Sequence, residues 1–327
     1  MDYVPLGYGD FAETLRVLAE SLPKMMKAKM KPGENMNQPL GGITENIAKH
    51  LKTEVCSIFL PIEIHGMLML YCVEAYGYEH SVQQMKQAYN KGLTGKIYSE
   101  PMQLVLNYSV QDEDLGWLGT NDGKLQTHCW SLLGVPIISS EEKCLGVLKL
   151  ENKRKSWGPE TSTEGKYIKE LSADPNRTPM NIEMMIQNLC NNYNKECEKL
   201  KPLARKLVEH TLKARAVIPF YNTVAARDEE CKIYPKNLYA NIEAIRWHID
   251  CLHHEIDQII RYGQNRGHLI QLAEMTHSLQ LALRAYEPFN YEDLMLARHV
   301  AAMLAAVLEV ESMIIIQNQT VGPTVAP

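Results

Sequence analysis

The first apolar positions along the chain follow a helical spacing. In residues 11–30 and 40–51 they recur every three or four positions, which predicts two amphipathic helices separated by Pro32 and Gly33. The predicted stripes are Leu15, Leu18, Ala19 and Leu22 in the first helix, and Ile43, Ile47 and Leu51 in the second. Each helix is therefore expected to pack one face against a core.

After the second helix the spacing of apolar residues shortens toward every second position, which indicates strands. Residues 54–62 and 67–78 form one pair of apolar, β-branched or aromatic runs, and residues 131–138 and 144–153 form another. Between the two pairs, a stretch with two glycines leads into a short strand that ends at Asn107. A polar loop follows from Ser109 to about Gln126. The runs predict an antiparallel sheet with one long polar loop.

Helical patterns return after Lys155. Four or five helices are expected before Glu287, separated by Gly263 and by the prolines at 175, 179, 202, 219 and 235. A last helix is predicted from Tyr291 to Ile316, with Asn290 as its N-cap. Its apolar stripe is Leu294, Ala297, Ala301, Leu304 and Leu308. Residues 317–327 are short, polar and rich in Pro and Gly, and are expected to fray.

Composition narrows the class of protein. The chain has 327 residues, of which 45% are hydrophobic and 22% charged, and its net charge is -5. These values are ordinary for a soluble globular protein of one large elaborated domain or two modules. Basic residues are not clustered, so no nucleic-acid partner is expected. No signal peptide and no run of eighteen apolar residues is present, so we expect a cytoplasmic protein that does not enter a membrane.

The order of these elements resembles that of the GAF family of small-molecule-sensing domains. Local sequences agree: residues 54–60 (EVCSIFL) resemble the first core strand of the family, residues 92–97 (GLTGKI) its glycine turn, and residues 132–137 with 146–153 its last hairpin. Phe289, Asp293 and the stripe after them resemble its terminal helix. In compact members a short loop joins the last strand to that helix, whereas here about 135 residues intervene.

The resemblance implies an α/β (α+β) fold, a GAF-like antiparallel sheet flanked by helices, with an inserted all-helical module. The expected divisions are an N-terminal helix at 1–34, a GAF domain at 35–154, the inserted helical module at 155–287, the closing helix of the GAF domain at 288–316, and a flexible tail at 317–327. Residues 54–153 and the closing helix are expected to form one unit, because the last hairpin needs an apolar helix to cover one sheet face.

The resemblance also implies a small-molecule pocket between one sheet face and the polar loop. Such concave sites are lined by a few converging polar groups. The predicted ligand-contacting residues are Ser57, Ala75, Asn107, Asp114, Trp117, Asp122, Thr127, His128, Cys129 and Trp130. Trp117 and Trp130 are the strongest of these candidates, because an indole offers both stacking area and a hydrogen-bond donor.

A structural motif accompanies the pocket. The cyclic-nucleotide-binding members in phosphodiesterases carry Asn-Lys and then Phe-x3-Asp-Glu; this chain has Asn152-Lys153 and Phe289-x3-Asp293, with Leu294 in place of the Glu. The resemblance implies an ion pair between Lys153 and Asp293 that closes the last strand onto the last helix.

Two known ligands of the family are disfavoured, and the cofactor stays unknown. Leu125, Cys129 and Lys149 stand where the cyclic-nucleotide binders have Thr, Thr and Glu, which removes two hydroxyls and reverses one charge. Bilin-binding members attach the chromophore through a Cys that is usually followed by His. Here the order is His128-Cys129, and only about two residues separate Cys129 from the next strand.

Catalytic chemistry forms a second hypothesis. Cys129 allows a redox reaction like that of the cysteine-dependent sulfoxide reductases of the family. The helix from His248 to Asp257 allows a metal-dependent reaction, because Asp250, His254 and Asp257 share one of its faces and are weak metal candidates. A polar helix face with helix salt bridges is the commoner explanation of this pattern. No nucleophile elbow, Walker loop or dinucleotide signature is present, and no catalytic residue is assigned.

The preferred hypothesis is therefore a regulatory protein that binds a small molecule in the sheet pocket and signals through helical contacts with itself or a partner. A ligand-free scaffold is the third possibility. A homodimer is expected because the helices carry more apolar stripes than a small sheet can cover, unless the inserted helices bury them against one another. The stripes in the insertion are Ile182, Met185, Ile186 and Leu189, and Ile242, Ile245, Ile249 and Leu252.

Overall fold

The computed structural model describes Arg16 and residues 43–77, 86–107, 129–155, 179–192, 195–214, 216–219, 224–262 and 266–320. Its first half contains α1 (Ile43–Leu51), β1 (Thr53–Ile64), β2 (Met67–Tyr76), β3 (Lys86–Ala88), α2 (Gly92–Ser99), β4 (Met102–Asn107), β5 (Ser131–Ile138) and β6 (Cys144–Lys153). The second half contains α3 (Pro179–Asn192), a 3-10 turn (Lys195–Lys199), α4 (Leu200–Lys213), β7 (Ala216–Pro219), α5 (Val224–Tyr262), α6 (Arg266–Ala285) and α7 (Tyr291–Thr320). The helix predicted at residues 11–30 lies outside the described residues, apart from Arg16, and stays a prediction.

The strands form one antiparallel sheet in the order β3-β2-β1-β6-β5-β4-β7. The antiparallel sheet with flanking helices confirms the expected fold class. The inserted region is not wholly helical, however, because β7 comes from it and pairs with the free edge of β4, Val105 opposite Ala216 and Met102 opposite Pro219. Four residues are too few to carry a periodic signal, which explains why this strand was not predicted.

One face of the sheet is covered by α1 and by the closing helix, α7. Alternate residues of β5 and β6, including Val135 and Leu148, form one buried cluster with the helices. The helix residues of this cluster include the predicted stripes: Ile43, Ile47 and Leu51 in α1, and Leu294, Ala297, Ala301 and Leu304 in the closing helix. Burial of each such leucine side chain contributes about 1.5–3 kcal/mol. The last helix therefore packs on the sheet, although its sequence lies far from the strands.

The opposite face of the sheet, here called the pocket face, carries a second apolar cluster: Phe59, Leu70, Cys72, Leu104, Leu106, Leu132 and Val147. Helix α2 covers part of it with Leu93 and Ile97. Gly134 in β5 leaves room for the Ile97 side chain, because an added Cβ there would collide with Cδ1 of Ile97. A larger residue at this position would have to displace the end of that side chain.

Helices α3 to α6, here called the helical module, have a core of their own. The apolar stripes of α3 and α5 are buried in it, with Ile186 and Ile249 among its central residues. These stripes are therefore not available as a dimer surface. Helix α5 runs through Pro235 without the expected break, because an interior proline costs about 3 kcal/mol and the long buried stripe downstream outweighs it. Within the described residues, no helix is long and apolar enough to cross a membrane.

Candidate ligand-binding site

Three polar side chains lie on the pocket face in neighbouring strands. Ser57 of β1 is opposite Lys149 of β6 and opposite Ala75 of β2, so strand alternation places all three on the same face as Phe59. Glu151 lies two residues beyond Lys149 and shares this face. Lys149 Nζ and Glu151 Oε1 are 2.7 Å apart, and their side chains are only 1% and 2% exposed. The ammonium also lies 5.5 Å from the centre of the Phe59 ring.

Neutral polar groups without hydrogen-bond partners in the described structure also lie on this face or in α2, which packs against it. Ser57 Oγ, Thr94 Oγ1 of α2 and both side-chain amide atoms of Gln87 of β3 are buried and make no hydrogen bond within the described structure. Gln87 is opposite Leu70, which places it on the pocket face. Buried polar groups are nearly always hydrogen-bonded in proteins, so each of these groups calls for a ligand or water.

Cys129 packs beside the same cluster, and its Sγ lies 3.5 Å from the Ser131 carbonyl oxygen. Burial raises the pKa of the Cys129 thiol well above its usual range, and the nearby Glu151 carboxylate adds to the effect. Burial likewise raises the pKa of Cys72 to about 12. Both groups are therefore neutral thiols near pH 7. Because the thiolate is the nucleophile, this environment does not favour the cysteine-based redox hypothesis.

Asn107 and Trp130 lie elsewhere. Asn107 faces the closing helix, where its Nδ2 donates to the Phe289 carbonyl oxygen at 3.1 Å and its Oδ1 accepts from the Phe289 N–H at 2.9 Å. The buried indole of Trp130 packs into the core of the helical module. Their positions thus give no support to ligand contact by these two residues. Of the other predicted contacts, Ser57, Ala75 and Cys129 lie on the pocket face, whereas Asp114, Trp117, Asp122, Thr127 and His128 lie outside the described residues.

The residues that sequence reasoning missed on this face are Gln87, Thr94 and Glu151, while Lys149 entered only as a departure from the cyclic-nucleotide binders. Lys149 and Glu151 alternate with the apolar Leu148 and Leu150. This alternation was a usable signal, because it placed two opposite charges on one face of a central strand. Nothing local in the sequence indicated that Thr94 would be buried.

The end of β6 turns from the pocket face toward the closing helix. Asn152 has φ +56°, a left-handed conformation that Asn tolerates better than most residues. Its Oδ1 accepts from the Trp130 N–H at 2.8 Å. The next residue, Lys153, then reaches the closing helix, and its Nζ lies 2.7 Å from Asp293 Oδ2. The ion pair expected from the motif is formed.

Glu54 joins the sheet to the helical module. Its carboxylate accepts from Nε of Arg154 at 2.9 Å, from Nδ2 of Asn152 at 3.0 Å and from the hydroxyl of Tyr286, at the end of α6, at 3.1 Å. Burial, followed by the Glu54 carboxylate, raises the pKa of Tyr286 well above its usual range. Tyr286 thus keeps the proton that it donates. Arg154 and Tyr286 also form a backbone bridge.

The metal candidates are not gathered into a site. Asp250 accepts a hydrogen bond from Gln280, and Asp257 lies 3.8 Å from Nε2 of His253. His254 is exposed. In the part of the chain that the structure describes, no group of three His, Cys, Asp or Glu side chains is placed to hold a metal ion. A metal site at these three residues stays a weak prediction.

Comparison with known families finds a match over part of the chain. Residues 36–164 match the model of the GAF domain family. No curated protein matches the chain. Solved structures similar to it include the GAF domain of a phosphoenolpyruvate-protein phosphotransferase from Coxiella burnetii, with 18% identity over 45% of this chain and 80% of that one and a TM-score of 0.35. The GAF domain of the phosphoenolpyruvate-protein phosphotransferase from Acinetobacter matches with 20% identity over 50% of this chain and 88% of that one, with a TM-score of 0.32. A free methionine-R-sulfoxide reductase from Neisseria meningitidis in complex with its substrate also matches, with 15% identity over 47% of this chain and 83% of that one and a TM-score of 0.29.

Proposed function

We propose that this chain, which carries a GAF domain at residues 36–164, is a cytoplasmic regulatory protein that binds a small molecule on the pocket face and passes the occupancy of that site to its helices. The observation that carries the proposal is the arrangement of residues 149–154, at the end of β6 and one residue beyond it. Lys149 and Glu151 lie on the pocket face, Lys153 pairs with the closing helix, and Arg154 with Glu54 contacts the end of α6.

These contacts give a short path from site to helices. A ligand that moves the Lys149–Glu151 pair displaces β6 itself, and the two ends of the path are only a few residues apart in one strand. The contacts at Asp293 and Tyr286 are buried. A shift of the strand is therefore expected to move the helix residues on the other side of each contact, whereas an exposed side chain would simply reorient in solvent. The turn between β5 and β6 adds a further link, because Ser140 bonds Glu309 of the closing helix.

Native mass spectrometry of the freshly purified full chain tests binding. We expect a non-covalent adduct on the 37.2 kDa chain that is lost on denaturation. Ala75→Leu, which adds bulk on the pocket face, is expected to abolish the adduct. The matched control is Ala88→Leu on β3, where Ala88 is opposite Met69 and away from the pocket face; it is expected to retain the adduct. Equal occupancy in the two variants would contradict the site.

Hydrogen exchange tests the relay. The amides of residues 291–309 are expected to exchange at least threefold more slowly in adduct-bearing protein than in protein stripped of the adduct. Unchanged exchange in this helix, together with slower exchange in β1 and β6, would contradict signalling while leaving binding intact.

Self-association through helices is part of the proposal. Because the stripes of α3 and α5 are buried, the expected surface is now the outer side of α5, where Trp247 is 60% exposed. Light scattering at micromolar concentration is expected to give about 74 kDa for the wild-type chain, twice its mass, and about half of that for Trp247→Asp. A wild-type mass near 37 kDa would exclude the dimer.

A further inference from the structure

Cys129 and Trp130 are neighbours in the sequence but pack in two different cores. Cys129 packs against the apolar cluster of the pocket face. The Trp130 indole is 6% exposed and belongs to the core of the helical module, whose other buried residues in the described structure come from positions 182–286. The helical module therefore takes one large side chain of its core from the sheet half of the chain.

Packing alone holds the Trp130 ring in that core. The indole N–H is buried and makes no hydrogen bond within the described structure. A tryptophan side chain buries about 150–250 Å² of surface, and a core that loses such a side chain relaxes only in part around the void. The packing of the helical module is thus expected to depend on where this one ring lies.

The backbone beside the ring is held by a chain of hydrogen bonds. The Trp130 N–H donates to Asn152 Oδ1 at 2.8 Å, and Asn152 Nδ2 donates to Glu54 Oε2 at 3.0 Å. The hydroxyl of Tyr286, a second residue of the module core, donates to the same Glu54 oxygen at 3.1 Å. A displacement of residues 129–130 therefore reaches the module both through the indole and through this chain.

The two residues also lie where the polar loop predicted at residues 109–126 rejoins the sheet, because β5 begins at Ser131. Packed cores have discrete arrangements and do not deform continuously. A shift of Cys129 in the pocket-face cluster is therefore expected to repack Trp130 in the module core.

We infer that Trp130 couples the end of the polar loop to the helical module. The indole completes the module core from the sheet, and displacement of Cys129 loosens that core. This inference goes beyond the proposed function, because the coupling lies within the protein and needs no ligand.

Hydrogen exchange on the full chain tests whether Trp130 holds the module together. Trp130→Leu leaves a void in the module core and is expected to speed exchange of the amides of residues 238–262 and 266–285 by at least about tenfold. Leu133→Ala is the matched control in β5, because Leu133 packs with the closing helix instead. It is expected to speed exchange at residues 291–309 and to leave the module within about twofold of wild type.

Paired thiol variants test whether displacement is transmitted. Cys129→Leu and Cys72→Leu each enlarge a residue that packs in or against the pocket-face cluster, but only Cys129 adjoins Trp130. Cys129→Leu is expected to speed exchange in the module by at least about threefold, and Cys72→Leu to leave it unchanged. Added to Trp130→Leu, Cys129→Leu is expected to cause no further acceleration, because the ring that carries the displacement is absent. If leucine prevents folding, valine replaces it at both cysteines.

The outcomes decide the inference without reference to a ligand. Unchanged module exchange in Trp130→Leu overturns it, as do equal effects of the two thiol variants or a further acceleration when Cys129→Leu is added to Trp130→Leu. Faster module exchange in Trp130→Leu and Cys129→Leu, but not in Leu133→Ala or Cys72→Leu, supports it. None of these measurements uses the adduct, so failure of the coupling is distinct from failure of the proposed function.

Discussion

Asp293→Ala is expected to lower the free energy of unfolding by about 3–5 kcal/mol. The Asp293 carboxylate is 1% exposed and lies 2.7 Å from Nζ of Lys153, which is 8% exposed, so its removal leaves a buried ammonium. Glu287, 3.9 Å from the same Nζ, compensates only in part. Asp293 Oδ2 also accepts from the Asn290 N–H, so the variant loses this bond as well and keeps only the reciprocal one, from the N–H of residue 293 to Asn290 Oδ1.

Urea unfolding measures this effect. The double variant Lys153→Met with Asp293→Leu removes both charges and is expected to recover at least half of the loss, since a buried ion pair is often replaceable by apolar side chains. Glu141→Ala breaks an exposed pair and is expected to change stability by less than about 1 kcal/mol. If Asp293→Ala costs no more than Glu141→Ala, the ion pair does not hold the closing helix to the sheet.

Asn107→Leu is expected to destabilise the protein by about 2–5 kcal/mol. Leucine has the same branched skeleton as asparagine but cannot hydrogen-bond, so the N–H and the carbonyl oxygen of Phe289 both lose the Asn107 amide as a partner. Each unsatisfied buried backbone group costs about 1–3 kcal/mol. Because Asn107 faces away from the pocket, the variant is expected to keep the adduct under conditions in which it is folded.

Gln103→Leu is the matched control on the same strand. Gln103 is buried, and its Oε1 makes no hydrogen bond among the described residues, so the change is expected to cost less than about 1 kcal/mol. Loss of the adduct in Asn107→Leu at unchanged stability would instead make Asn107 a ligand contact, as the sequence first suggested.

Periodicity was enough to predict the sheet and its closing helix. Two local patterns were sufficient: the alternation of residues along β5 and β6, and the apolar stripe from Leu294 to Leu304. Each pattern buries its apolar side chains in only one secondary structure, a strand for the first and a helix for the second. The strand β7 and the uninterrupted helix through Pro235 depend on distant packing, which outweighs local preference. No pattern in the sequence reports such contacts.

The site was harder to predict than the fold, because the direction of a side chain depends on register. Asn107 ends a strand next to the polar loop, and its position in the sequence is compatible with either face of the sheet. A shift of the register by one residue moves every side chain of a strand to the opposite face. Trp130 follows Cys129 directly, yet one contacts the helical module and the other the pocket face. In contrast, the Lys153–Asp293 pair followed from a motif whose two halves have fixed places in the fold.

The separation of the closing helix from its sheet also has a consequence for biosynthesis. Asp293 follows Lys153 by 140 residues, and Phe289 follows Asn107 by 182. At a translation rate of about 5–20 residues per second, the ribosome needs about 7–28 s to make the stretch between Lys153 and Asp293. During that time α1 alone covers this face of the nascent sheet, so part of its apolar surface is exposed, and until residue 219 is made the β4 edge is open as well. The insertion thus prolongs the exposure of apolar surface on the emerging chain, compared with a sheet whose closing helix follows directly after its last strand.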